Sequence, residues 1–319
     1  MIITAIDFRE NQPLELLTAL HGRGEIPFKM EYLGEGADAW NKLAEAEEFD
    51  IAHGEYKLLN ESVKKLFSKL GRNKVNLLYL GCGTCFKAVP LVKAAAKTHS
   101  PVNLCLLDIS PTMLEIGKKN IQQKIKRNLL VETSLFDFEG GNFAHITSSL
   151  RKRFYRNNLL FILGNTFGNL SDRARILINF RESMTATDYL LIGVELAPST
   201  TVEKENMLRR YRGEGVLNVF FNILKSLGVS RNSGKFIVNY NTVKSQVEWR
   251  FELYKDAAVR LGGEWVELRK GQKIFLGMSH KFTPAELKKL FRYAGFRTLL
   301  CITNPEKRYT LIMGQPKGM

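Results

Sequence analysis

At 319 residues the chain can form one large domain or two modest ones with a sizeable core, and 45% hydrophobic residues exclude a disordered or fibrous protein. No apolar run approaches the ~18 residues of a bilayer span, and MIITAIDFREN has neither the basic end nor the long apolar core of a signal peptide, so a cytoplasmic protein away from membranes is expected. Forty-seven Lys and Arg against 32 Asp and Glu leave +15, enough to attract polyanions and to make nucleic acid a candidate partner.

In chain order, residues 1–53 do not follow the strand and helix alternation that comes after them. Ile26-Pro27-Phe28, Gly34, Gly36 and the acidic Glu45, Glu47 and Glu48 suggest the short helices and loops of a cap. A helix is predicted over 54–70, with Leu58, Leu59, Val63, Leu66, Phe67 and Leu70 on one stripe. Residues 75–80 then read as a buried parallel strand, 86–97 as a helix, 102–107 as a second strand, and 112–124 as a helix opened by Ser110-Pro111. Strands over 129–133, 158–163 and 189–195 and a helix over 172–184 continue the alternation, which implies a doubly wound parallel α/β sheet. The pattern breaks after Glu195. It resumes with a helix over 284–293 ended by Gly295, a strand over 298–303, a turn at Asn304-Pro305, and a last, antiparallel strand over 309–313. A Rossmann-like sheet of seven strands closing on an antiparallel hairpin is the arrangement of class I methyltransferases. The expected division is a core of residues 54–196 plus 283–319 and a discontinuous α+β substrate domain of residues 1–53 plus 197–282. Helices over 203–212 and 216–227 and strands over 246–254, 265–269 and 272–276 are predicted within the latter.

The turn after the first strand carries the chemistry. Gly81 and Gly83 let a ligand approach the backbone, and the start of the next helix offers free N–H groups. Position 86 is Phe, so the third glycine of a dinucleotide fingerprint is missing, and Asp108 lies beyond the spacing usual for its ribose-binding acid. Both differences favour an adenosine ligand without a pyrophosphate, with S-adenosylmethionine (SAM) the first candidate. In an open parallel sheet ligands lie outside the carboxyl ends of the strands. Those ends are Gly81-Cys82-Gly83-Thr84, Asp108-Ile109, Asp137-Phe138 and the stretch from Gly164 to Leu170. Asp108 can accept from both ribose hydroxyls, Asp137 from the adenine amino group, and Phe138 can present a ring face to the base; the competing roles are a helix cap and core packing. The loop FILGNTFGNL from Phe161 lacks the Asn/Asp-Pro-Pro-Tyr element of DNA-base and glutamine methyltransferases. Its Asn165, Thr166 and Asn169 suit a polar substrate, or else cap the helix that follows Ser171-Asp172. Cys82 and Cys85 sit inside the glycine loop with no second pair, Cys105 lies in a strand, and the five histidines show no ligand spacing, so no metal is expected.

Several stretches together resemble the histidine-specific N-alpha-methyltransferases of ergothioneine biosynthesis, a family that includes the fungal dimethylallyltryptophan N-methyltransferases. They are LGCGT with Lys87, LLDIS, FDF at Phe136, FILGNTFGNL, LLIGVEL, Tyr211 ahead of Gly215-Val216 and Phe221-Asn222, VEW at Val247, SHKFT at Ser279, and KMEYLGEGADAW near the amino terminus. The resemblance covers nearly the whole chain, and the strand-four loop and SHKF are its specific parts. It implies a SAM-dependent enzyme that releases S-adenosyl-L-homocysteine (SAH) and carries a discontinuous substrate domain. By matching positions, it implies that Gly81, Lys87, Asp108, Asp137 and Phe138 contact SAM. It also implies that Tyr32, Asn169 and Tyr211 hold an amino-acid head group, with Asn169 and Tyr32 nearest the amine, and that Ser279 touches the substrate side chain. Two departures stand out: the histidine enzymes have an acid where this chain has Gly277 and a tyrosine where it has Phe49. A pocket of Phe49, Gly277 and Trp249 would take a bulkier or more apolar group than imidazole, so the head-group reader is expected to persist and the side-chain reader to differ.

The expected partner is therefore a small-molecule amine or amino acid. RNA or protein methylation is the rival that the charge favours. Against it, the excess lies on helices with apolar opposite faces, as at Lys64, Lys65, Lys118 and Lys119, and no appended nucleic-acid module is present. A SAM-binding protein without catalysis is the other rival.

Overall fold

The computed structural model describes residues 12–45, 50–98, 100–261 and 263–318. Helices α1 (Gln12–Arg23) and α2 (Glu35–Glu45) flank a 3-10 turn at Phe28–Tyr32, and α3 (Asp50–Leu70) leads into β1 (Val75–Leu80). The alternation then runs α4 (Val89–Ala95), β2 (Val102–Asp108), α5 (Pro111–Lys124), β3 (Leu129–Leu135), α6 (Ala144–Arg153), β4 (Asn157–Ile162), α7 (Arg173–Glu182) and β5 (Tyr189–Glu195). Helices α8 (Thr201–Tyr211) and α9 (Glu214–Ser226) follow. Strands β6 (Gly234–Asn241), β7 (Gln246–Leu253), β8 (Ala257–Leu261), β9 (Glu264–Leu268) and β10 (Lys273–His280) come next, then α10 (Pro284–Tyr293), β11 (Phe296–Thr303) and β12 (Tyr309–Pro316).

Seven strands form one sheet in the order β11-β12-β5-β4-β1-β2-β3, parallel except for β12, which pairs antiparallel with both β5 and β11. Every residue of β1, β2 and β5 is buried, as two helical layers require. Three of the helices start on side-chain caps: Ser110 accepts from Met113 N–H, Asp172 from Arg175 N–H, and Thr283 forms a capping box with Glu286. Register at the amino ends of the central strands is held by buried asparagines. Asn76 donates to Asn158 Oδ1 at 2.9 Å, Asn103 donates to Asn76 Oδ1 at 3.5 Å, and Asn158 N–H donates to Asp188 Oδ1 at 2.6 Å.

By internal contacts the described residues fall into two compact units, one within 1–48 and 198–280, the other within 49–197 and 281–319. The first holds a three-stranded antiparallel sheet, β10-β7-β6, and the hairpin β8-β9, with α1, α2, α8 and α9. Its interior is aromatic: Phe220 stacks on Trp249 at 4.4 Å, and Phe221, Phe236 and Phe251 pack together. No described helix is long and apolar enough to cross a membrane.

The boundary expected between residues 53 and 54 lies within α3, Asp50–Leu70, and the compact units divide between residues 48 and 49. One expectation needs correction. The helix expected over 86–97 begins as a 3-10 turn at Phe86–Ala88 after the left-handed Cys85 (φ 61°), and the α-helix proper, Val89–Ala95, carries Pro90 in its first turn. Helix α6 and strands β6 and β8 were not expected. Helix α6 buries Thr147 and Leu150 and begins without a side-chain cap, so it offers little periodic signal.

Gly54 in α3 lies against the buried ring of Tyr309 in β12, where an added Cβ would meet Cε2 at 2.4 Å. Glycine to alanine inside a helix ordinarily gains about 1 kcal/mol. Here overpacking of about 1–3 kcal/mol dominates. Gly54→Ala is expected to lower the urea midpoint, reversing the usual sign.

Candidate active site

The sheet order reverses beside β1, so the tips of β1 and β4 adjoin at the switch point where open sheets bind ligands. The β1 turn is built from left-handed residues, Gly81 at φ 61°, Gly83 at 48° and Cys85 at 61°. A Cβ on Gly81 would lie 3.1 Å from Thr166 Cγ2 and 3.8 Å from Phe138, while one on Gly83 would meet nothing within 4 Å. The loop is therefore packed behind and open in front, which fits a ligand lying on its backbone. Asp108 closes β2 and pins this turn, its oxygens accepting from Gly83 N–H at 3.2 Å and Ser110 N–H at 3.0 Å. Burial raises its carboxyl above the ordinary value, opposed by the backbone donors of Ser110, Gly83 and Ile109 and by the Cys82 thiol. Burial likewise pushes the Cys82 and Cys85 thiols up, and all four cysteines are free. Thr84 O accepts from Asn120 on α5. Asp137 is half-buried and caps Glu139 N–H, and Phe138, mostly in the core, sets its ring edge against Phe180 while remaining close to Gly81.

The β4 loop divides its polar residues between two tasks. Asn165, left-handed at φ 59° and buried, turns inward and accepts from Glu195 N–H at 2.9 Å. Thr166 donates to Leu163 O at 2.9 Å, and Phe167 is fully buried, stacking on Phe282. Asn169, expected to meet the substrate, is half-buried. Behind the loop lies an ion pair whose role the sequence did not reveal: Lys281 Nζ is 2.7 Å from Glu195 Oε2, with both side chains buried. Phe282 N–H donates to Glu195 O, so β5, the β4 loop and the return segment after β10 meet at Glu195.

A second unforeseen group is Glu55 on α3. Its Oε2 accepts from Lys87 Nζ at 2.6 Å and from Gly164 N–H at 2.7 Å, tying two expected cofactor residues together. One acid on an amphipathic helix carries no sequence signal of such a role.

The other expected residues lie in the other unit, and Phe49 falls outside the described residues. Tyr32 stacks on Trp40 at 5.3 Å. Tyr211 packs edge-on against Trp249, whose Nε1–H donates to Tyr211 O at 3.1 Å. Gly277 and Ser279 sit on β10 opposite Trp249 and Val247. Of the pocket expected from Phe49, Gly277 and Trp249, Trp249 is buried, and a Cβ on Gly277 would lie 2.3 Å from Phe28 and 3.0 Å from Phe220. Phe28 takes the space that the missing side chain vacates.

Next to Tyr32, Glu31 is buried beside the Ile223 backbone, and its carboxyl oxygens have no well-formed hydrogen bond to the described residues. Burial raises its carboxyl well above the ordinary value.

A seven-stranded sheet in this order, with an open glycine turn on β1, an acid ending β2 and a polar loop ending β4, defines a SAM-dependent methyltransferase. The profile of the histidine-specific, SAM-dependent methyltransferases matches residues 12–316, and the chain belongs to that family. It is similar to the 4-dimethylallyltryptophan N-methyltransferase of Penicillium roqueforti, 24% identical over 305 residues, covering 90% of this chain and 88% of that one. The enzyme of the same name from Claviceps fusiformis is 25% identical over 311 residues, covering 88% and 84%. Among solved structures, the magnesium protoporphyrin IX methyltransferase of Synechocystis with bound SAM aligns over 98% of this chain and 99% of that chain. Its TM-score is 0.47 and its identity 9%, too slight a likeness to add to the strand order.

Removing one partner of a buried ion pair strands the other charge. Lys281→Met is expected to cost about 3–5 kcal/mol of unfolding free energy, much of it recovered when Glu195→Leu is added, as chemical denaturation would show. For Glu31 the linkage runs the other way from a stabilising carboxylate. With the folded value raised, stability is greatest below the unfolded value near pH 4.5 and is lost as pH rises towards the folded value. Glu31→Gln should therefore unfold at higher urea than the parent at neutral pH, and the difference should vanish as pH falls below about 4.5.

Proposed function

We propose that the enzyme methylates the α-amino group of an amino acid whose side chain is bulky and aromatic or apolar, and that histidine is not its preferred substrate. The observation that carries this reading is Phe28 over Gly277: where the histidine enzymes resembled here place an acid, this chain has packed apolar rings. An imidazole would find no carboxylate from this position, and an indole or a similar group loses nothing by that. The similar proteins whose names specify a tryptophan derivative support the same class.

The groups at the strand tips fit SAM by their chemistry. Asp108 suits the ribose hydroxyls, Asp137 the adenine amino group, Phe138 the base, and Gly81 and Gly83 the close approach of the ligand. When bound, SAM supplies an electrophilic methyl group that transfers in line to an amine lone pair. The protein's task is positioning, and no covalent bond to it is needed. Asn169 would accept one N–H of the neutral amine through Oδ1. A second acceptor, Tyr32, and the head-group role of Tyr211 rest on the family likeness alone, as does the side-chain role of Ser279. An α-amino group is substantially protonated near neutrality, and each pK unit of mismatch costs about 1.4 kcal/mol, so acceptors that favour the neutral amine raise the rate while the proton leaves to water.

The test is incubation with labelled SAM and each of the twenty amino acids and prenylated tryptophans, read by mass spectrometry. An N-methylated aromatic amino acid is expected, with Asn169→Ala lowering kcat/KM about a hundredfold. Histidine as the best acceptor would overturn the specificity. SAH binding without product from any amine would indicate a non-catalytic protein, and methylated RNA, with affinity falling steeply as salt rises, would replace the small-molecule reading.

A further inference from the structure

We propose that Glu55 is a positioning residue for the cofactor: it acts through Lys87 and the β4 loop, fixing a cation and a backbone turn where the amino-acid end of SAM is held. This rests on the SAM-binding reading above and adds to it a residue outside the set carried over from family likeness.

Glu55 lies near the start of α3, with 2% of its side chain exposed. A single oxygen, Oε2, serves both Lys87 Nζ at 2.6 Å and the N–H of Gly164 at 2.7 Å. The second oxygen, Oε1, has no hydrogen-bond partner among the described residues and rests over Gly193 of β5, where a Cβ would be 2.0 Å away. The acid is admitted by a glycine in the middle of a fully buried strand and costs the fold an unsatisfied oxygen. A purely structural contact could be replaced by an apolar pair at no loss, so the arrangement is better explained by what it does to its partners. Gly164 is left-handed at φ 81°, and a side chain there would press on Lys87 Nζ at 3.2 Å. The Lys87 side chain is 12% exposed and its ammonium carries three donors. One is committed to Glu55, which leaves others for an anionic group such as the carboxylate of an amino acid.

Two effects of Glu55 oppose each other. Its negative charge weakens the attraction of Lys87 for a carboxylate, while its hydrogen bonds hold the ammonium and the Gly164 turn in one place. The short contacts to Oε2 and the burial of the acid make positioning the larger effect.

The test is calorimetric titration of SAH into the full chain, with thermal unfolding of each variant recorded alongside. Glu55→Gln, which removes the charge, should bind SAH about ten to a hundredfold more weakly, the loss typical when an orienting partner is removed. Glu55→Asp, which keeps the charge and withdraws it by one methylene, should also bind weakly, and this separates position from charge. In the Lys87→Met background, adding Glu55→Gln should cost clearly less than it does in the wild type, because the part of the effect that runs through Lys87 is already lost and only the part through the Gly164 turn remains. SAH binding by Glu55→Gln or Glu55→Asp at wild-type strength or tighter would overturn the proposal, as would losses that multiply independently in the double variant. Failure of the wild-type chain to bind SAH at all would remove the SAM-site reading as well, so the two failures are distinguishable. Either Glu55 variant that unfolds cooperatively is enough to decide.

Discussion

A parallel strand buried on both faces has to leave the sheet abruptly, and the turn that does so exposes backbone N–H groups that need partners. At the tips of β1 and β4 the chain meets this constraint with left-handed residues, Gly81, Gly83 and Cys85 at one and Gly164 and Asn165 at the other. Each turn is then pinned by a buried acceptor from elsewhere in the chain: Asp108 takes Gly83 N–H and Glu55 takes Gly164 N–H. Asn165 reverses the direction by accepting from Glu195 N–H. The groups that make the tips rigid are thus the groups that shape the site, and an unpaired backbone donor there would cost both stability and geometry.

The same economy appears behind the β4 loop. Glu195 ends β5, donates its N–H to Asn165 Oδ1, pairs with Lys281 and accepts from Phe282 N–H, while Phe282 stacks on Phe167. The segment from Lys281 to Phe282 is where the chain rejoins the sheet unit, so re-entry is fastened to the loop that carries Asn169. A buried lysine and glutamate are expensive to desolvate. Their pairing is best understood as a specification of register at a junction between distant pieces of sequence.

In the other unit the decisive feature is a substitution by absence. Gly277 does not open a cavity, because Phe28 and Phe220 fill the space, and Phe220 in turn stacks on Trp249. The surroundings of Gly277 are aromatic, with Glu31 in the same unit as an acid that burial keeps neutral over a wider pH range.

The sequence by itself determined the parallel sheet and its chemistry, because those depend on local rules. Runs such as VNLLYL and LCLLD must be buried strands, a turn at Gly81 and Gly83 needs residues free to adopt positive φ, and Ser110-Pro111 starts a helix wherever it stands. Motif likeness added the family and a set of expected site residues. Tertiary structure decided what distant side chains do to one another. That Glu55 clasps Lys87 and Gly164, that Lys281 is paired inside the protein with Glu195, that Asn165 points inward, and that Phe28 occupies the room left at Gly277 all depend on contacts between segments far apart in the chain. Helix α6 and strand β6 were missed for the same reason: α6 begins without a side-chain cap, β6 is held by its pairing with β7, and their own periodicity is too weak to announce them.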